Sequence, residues 1–188
     1  MKKFINSYLN ETKQLLENVI EKYSDDLIKI SEKFKKTSKK GGKIILLGNG
    51  GSAATSSHVS VDLTKNAKIR SINFNEADLI TCFSNDYGYE EWMRKSLEFY
   101  LDKKDIVVLI STSGKSANVI NAANFLKKKK IQTITLTGMK QNNPLKKLNK
   151  NGVNIWVDSK SYNQIEIIHH FLLLLIVDII IGKSIYKA

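Results

Sequence analysis

Four short runs of branched aliphatic residues constrain this chain more than anything else in it: KIILLG (Lys43 to Gly48), DIVVLI (Asp105 to Ile110), IQTITLTG (Ile131 to Gly138) and VNIWV (Val153 to Val157). Each is too short for a helix, and the aliphatic runs read as strands buried on both faces. Between and after them lie stretches with helical periodicity, notably Ser52 to Lys65, Tyr89 to Leu101, Ser116 to Lys130 and Asn163 to Gly182. Strands alternating with helices imply an α/β fold, a doubly wound parallel sheet with helices on both faces and ligands at the carboxyl ends of its strands. Upstream, apolar residues from Phe4 to Phe34 recur at steps of three and four, which predicts two amphipathic helices hinged near Ser24 and Asp25. The chain divides into N-terminal helices over 1–40 and a sheet domain over 41–188, both parts of one folding unit of 188 residues. The only proline, Pro144, reads as a turn before the fourth strand.

Charge and cysteine usage narrow the partners. The formal net charge is +12, but the lysines fall in short runs such as Lys35-Lys36, Lys39-Lys40 and Lys127 to Lys130 at element ends. Such runs read as solvated faces rather than a nucleic-acid surface, and they still draw small phosphorylated ligands. A single cysteine, Cys82, rules out an intramolecular disulfide and a CxxC metal site, and it fits a reducing cytoplasm. The opening MKKFINSYLNETKQ lacks the apolar core of a signal peptide. The most apolar run, Phe171 to Ile181, is interrupted by Asp178 and is shorter than the ~20 residues of a membrane span. It is expected to be a buried or interface helix, with no membrane partner.

Two strands end in loops of one chemical kind, LLGNGGSAA after the first and LISTSGKSAN after the second. Both place Gly and Ser or Thr at a helix start, where unpaired backbone N–H groups and the helix dipole favour an anion. Gly50 and Gly51 let the backbone approach closely, and Ser52, Ser111, Thr112, Ser113 and Ser116 add hydroxyl donors. The plain alternative for Ser52 and Ser116 is helix N-capping. Two such loops on one sheet point instead to a phosphate cradle. Neither loop matches GxxxxGK[ST] or GxGxxG, so no nucleotide cofactor is expected.

In order and spacing, GGKIILLGNGGSAA, SNDYGYE, DIVVLISTSGKSANVI and TITLTG resemble the SIS (sugar isomerase) domain of the phosphoheptose isomerases. The resemblance covers nearly the whole chain. It implies a flavodoxin-like, five-stranded parallel sheet between helices, a homotetramer whose active sites form between subunits, and a cytoplasmic enzyme. The implied reaction converts sedoheptulose 7-phosphate to D-glycero-D-manno-heptose 7-phosphate, on the way to heptose in lipopolysaccharide or capsule. Ser52, Ser111, Thr112, Ser113 and Ser116 match the family's phosphate-binding positions, and Asn49 and Asp86 match sugar-contacting ones.

Ketose–aldose interconversion through an enediol needs a group that takes a proton from one carbon and a group that returns it to the next. The resemblance supplies a histidine and a glutamate four residues apart on the helix after GNGGS, and a second histidine on the C-terminal helix. Here the first histidine is His58, the glutamate position holds Asp62, and the second histidine position falls on Leu174. A basic position shortly after His58 is Asn66. Asp62 and His58 share one helix face, although a lone exposed helix charge is the plain reading of Asp62. His170, one turn before Leu174, is the replacement candidate, which makes Asp62 and His170 the expected catalytic pair. Of the adjacent His169 and His170, the bland reading makes one buried and hydrogen-bonded and puts the other at an interface. The family's zinc site, its glutamine falling on Glu166, implies His58, Asp62 and Glu166 as metal ligands, of types that zinc accepts. The alternative function is a binding protein that keeps the cradle without proton transfer, as in relatives that associate with the replication initiator.

Overall fold

A computed structural model describes residues 1–185, and the last three positions of the 41–188 span lie outside the described residues. The elements run, in chain order, α1 (Lys2–Lys39), β1 (Ile44–Leu47), α2 (Gly51–Lys65), β2 (Ser71–Ile72), α3 (Ala77–Tyr87), α4 (Trp92–Tyr100), β3 (Ile106–Ser111), α5 (Ala117–Lys129), β4 (Gln132–Thr137), α6 (Pro144–Leu148), β5 (Val153–Trp156) and α7 (Tyr162–Ile181). All strand pairs are parallel, in the order β2-β1-β3-β4-β5. This is the flavodoxin-like winding, whose topological switch point lies between β1 and β3. The loops after these two neighbouring strands therefore face one crevice.

The aliphatic runs are strands because both of their faces are covered. Ile44, Leu46, Ile106, Val108, Ile110, Ile134, Leu136 and Ile155 point into a core shared with α1, α2 and α7. Ile45, Leu47, Val107 and Leu109 point into a second core with Trp92, Met93 and Leu97 of α4, Val119, Ala122 and Leu126 of α5, and Leu145 of α6. Asp105, just before β3, ties the amino edge together. Its carboxylate accepts from the Lys43 N–H at 2.9 Å, the Asp102 N–H at 2.8 Å and the Lys43 ammonium at 2.7 Å.

Two expectations need correction. The N-terminal region is one continuous helix of 38 residues, not two. Val19, Tyr23, Leu27, Ile30, Phe34 and Thr37 form one unbroken buried stripe, whereas Ser24 and Asp25 face solvent and interrupt nothing. Pro144 is the first residue of helix α6, where its missing N–H costs nothing, and the preceding Asn143 accepts from the Lys146 N–H at 3.0 Å. The stretch between β1 and β3 also contains β2 and α3, which periodicity did not reveal. The C-terminal helix buries Ile165, Ile168, Leu172, Leu173, Ile176 and Val177 against the rest of the domain and belongs to its core.

Candidate active site

The cradle starts where β1 meets α2. Gly50 has φ +54° and ψ −122°, a conformation open to glycine, and it turns the chain into the helix. A Cβ on Gly48 would lie 2.6 Å from the Ser52 Cβ and 2.8 Å from its carbonyl carbon. That glycine lets the strand end pass directly beneath the first turn. Ser52 is buried in this first turn and not in the capping position, which Gly50 holds. Its placement matches an anion donor better than a cap.

The second half follows β3. Gly114, at φ +63°, closes a turn in which its N–H donates to the Ser111 carbonyl at 2.9 Å. Ser111 and Ser116 bring their hydroxyls to 3.4 Å, and the Ser113 hydroxyl accepts from the Lys115 N–H at 3.3 Å. The Thr112 hydroxyl is buried and has no hydrogen-bond partner. Ser116 caps α5 by position, yet its side chain makes no capping hydrogen bond. An orphaned hydroxyl and an unused cap are donor capacity left over for a ligand.

A pair of amides joins the two loops. Asn49 and Asn118 exchange hydrogen bonds, each side-chain N–H₂ donating to the other's oxygen at 2.9 Å. The Tyr89 hydroxyl adds a 3.3 Å contact to Asn49. Asn118 went unnoticed in the sequence, although it stands in the first turn of a helix that follows a serine-rich loop. Asp86 is exposed on α3, and its side-chain hydrogen bonds are local, from Asn85 and Cys82.

Helices α2 and α7 meet beside the cradle. Gly51, Thr55, Glu166, His170 and Leu174 line a cavity of about 400 Å³ there, together with the half-exposed Ile167 and Phe171. His170 Nε2 lies 2.9 Å from His58 Nδ1, and His170 Nδ1 lies 3.3 Å from the Thr55 hydroxyl. On its other side, His58 Nε2 lies 3.5 Å from Asp62. One set of tautomers is consistent with these contacts: Thr55 donates to His170, His170 Nε2–H donates to His58 Nδ1, and His58 Nε2–H is left facing the Asp62 carboxylate, which accepts from the Asn66 amide at 3.1 Å. The expected pair of Asp62 and His170 is thus brought into one chain, with His58 between them. Burial and the neighbouring His58 hold His170 below its ordinary value, with Asp62 pulling the other way.

His169 plays a different part. It is fully buried, its Nε2 lies 3.1 Å from the Thr137 carbonyl, and its Nδ1 has no partner. Burial lowers its pKa to about 4, so it stays neutral and structural.

The expected metal ligands do not converge. Asp62 addresses Nε2 of His58, whereas His170 addresses Nδ1. The Glu166 carboxylate lies over the first turn of α2, where a Cβ on Gly51 would come within 2.2 Å of it. Among the described residues no three His, Cys, Asp or Glu side chains are grouped as metal ligands. His58 and Asp62 lie close enough to share an ion, while Glu166 is not grouped with them.

Comparison with known proteins agrees with this fold. Residues 7–138 match the family model described as SIS domain. The phosphoheptose isomerase of Cytophaga hutchinsonii is 35% identical over 182 residues, covering 91% of this chain and 95% of the relative. That of Buchnera aphidicola is 31% identical, covering 93% and 95%. The structure of phosphoheptose isomerase from Neisseria gonorrhoeae superposes with a TM-score of 0.89 at 25% identity, covering 96% of this chain and 98% of its own. Winding, cradle and relatives thus converge, and the chain belongs to the phosphoheptose isomerase family of SIS-domain enzymes.

Proposed function

We propose that the enzyme interconverts sedoheptulose 7-phosphate and D-glycero-D-manno-heptose 7-phosphate in the cytoplasm, supplying heptose for surface polysaccharide. The observation that carries this reading is the Thr55–His170–His58–Asp62 chain, which opens on the cavity beside the Ser52 end of the phosphate cradle. With the 7-phosphate held by Ser52, Ser111, Thr112, Ser113 and Ser116, the carbonyl end of the sugar reaches His170. His170 Nδ1, giving up the Thr55 hydroxyl for the substrate, takes the proton from C1 of the ketose; the C1–H electrons form the C1–C2 double bond, and the C2 carbonyl oxygen takes a proton from solvent water to give the enediol. His170 then passes its Nε2 proton to His58, and the Nε2 proton of His58 moves toward Asp62, so the positive charge is spread over the chain. Return of a proton to C2, with loss of the C1 hydroxyl proton, completes the aldose. No step is assigned to a metal.

The same reading includes a homotetramer. Ile167 and Phe171 at the cavity mouth, and Phe4, Ile5 and Leu9 on α1, are large exposed apolar side chains that a second copy would cover. Sedimentation velocity tests this, with a monomer as the contrary result. For the reaction, purified protein is expected to convert sedoheptulose 7-phosphate, and His170→Asn to lose turnover while still binding the sugar phosphate. Wild-type protein that binds the sugar phosphate with no detectable turnover would overturn the enzymatic reading.

A further inference from the structure

The isomerase site uses the carboxyl ends of the strands, but a cavity larger than the one beside His170 lies at their other ends. It encloses about 550 Å³ beside Gln132, where β4 begins, and Val153, where β5 begins. Along β4 the two ends are about 17 Å apart. Five lysines line it: Lys33 of α1, Lys127 and Lys130 at the end of α5, and Lys147 and Lys150 at the end of α6. No carboxylate lines it, and none of the five has an ion-pair partner among the described residues.

Ordinary surface charge explains part of this. Lys127 stands in the last turn of α5 and complements its carbonyl end. That does not account for lysines from three separate elements converging on one concavity. Lys130 also adopts φ +56° and ψ 35°, the left-handed helix-ending conformation where glycine is usual.

The other wall is different in kind. Ile131, Leu148 and Val153 present partly exposed apolar surface, and the Gln132 and Asn151 amides offer donors and acceptors beside it. Volumes between about 300 and 1,000 Å³ hold ligands of drug or cofactor size. We propose that this cavity is a second binding site, for a nucleoside di- or triphosphate, with the phosphates on the lysines and the base against the apolar wall. A single concavity with one apolar wall fits a small bipartite anion better than it fits a nucleic acid strand, which would ask for a longer basic stripe. The site is independent of the isomerase reading, because none of its residues touches the cradle or the histidine chain.

Titration calorimetry on the full chain at low salt tests the proposal with ATP, inorganic triphosphate, adenosine and a single-stranded oligonucleotide. Saturable ATP binding at one per chain is expected, tighter than either triphosphate or adenosine alone. Lys147→Glu/Lys150→Glu should weaken ATP by about tenfold or more through two reversed charges. Lys127→Glu/Lys130→Glu, on a different element, should do the same, so the outcome does not hang on one variant folding. Lys2→Glu/Lys3→Glu, an equal change in net charge at the start of α1, should leave ATP binding unchanged. No saturable ATP binding, equal binding of triphosphate and ATP, equal loss in the α1 variant, or an oligonucleotide that outcompetes ATP would each overturn the proposal.

Discussion

His170 Nε2 and His58 Nδ1 lie 2.9 Å apart, so two histidines 112 residues apart in the chain share one proton between them. Two protonated rings could not face each other this way, so one nitrogen of the contact must be unprotonated. Leu174 occupies the position where the resemblance expects the second histidine, and His170 reaches the site from one turn earlier on α7. Replacing His170 with Asn removes the ring nitrogen at Thr55 and breaks the path to Asp62. The expected result is a fall in kcat of about 10²- to 10⁴-fold, with KM changed by a few-fold at most. Steady-state kinetics on sedoheptulose 7-phosphate reads this directly, and a variant with unchanged kcat contradicts the assigned role.

The pH profile carries a second expectation. His170 acts in its neutral form, and burial together with the neighbouring His58 holds it below 6.5. Activity therefore persists as pH falls through 6.5, and kcat/KM declines only at lower pH, when the shared proton is joined by a second. Asp62→Asn removes the carboxylate that pulls the other way, and its residual activity should decline at a still lower pH. An acid limb above 6.5 in the wild type is incompatible with this arrangement.

The amide clasp between Asn49 and Asn118 gives a prediction about the cradle. Asn118→Ala leaves the partly buried Asn49 amide without its partner and uncouples the loop after β1 from the loop after β3. Stability should fall by about 1 to 3 kcal/mol, the cost of an unmatched buried amide. Because the clasp sets the spacing of the two loops, KM for the phosphosugar should rise more than kcat falls. Urea unfolding and a substrate titration measure the two effects separately.

The parts legible in the sequence were those set by local composition. Runs such as IVVLI are aliphatic throughout because both sheet faces are covered, and GNGGS and STSGKS keep their glycines because the backbone must turn and approach closely. The parts that were not legible depend on tertiary contacts. β2 spans only Ser71 and Ile72, and its strand character comes from pairing with Ile44 and Ile45. The apparent hinge at Ser24 and Asp25 vanished once the buried stripe of α1 was seen to pass on the other side. Asn118 looked like any polar helix residue until the sheet brought Asn49 beside it. His169 and His170 are neighbours in sequence, but helical geometry turns one to Thr137 and the other to His58.

That divergence makes His169 a test of stability instead of chemistry. Its pKa is lowered to about 4 by burial, against an ordinary 6.5 in the unfolded chain. The unfolded state therefore binds the proton first as pH falls, and the folded state loses stability. The contribution is fully present above pH 6.5 and is lost progressively down to about 4. At about 1.36 kcal/mol per pKa unit, this amounts to about 3 kcal/mol. His169→Gln keeps an N–H for the Thr137 carbonyl but cannot titrate. It should lose about 3 kcal/mol less than the wild type between pH 7 and pH 4, measured by urea unfolding at each pH. Parallel curves for the two proteins would show that His169 is not neutral in the folded state, or that protonation finds it a partner that the structure does not contain.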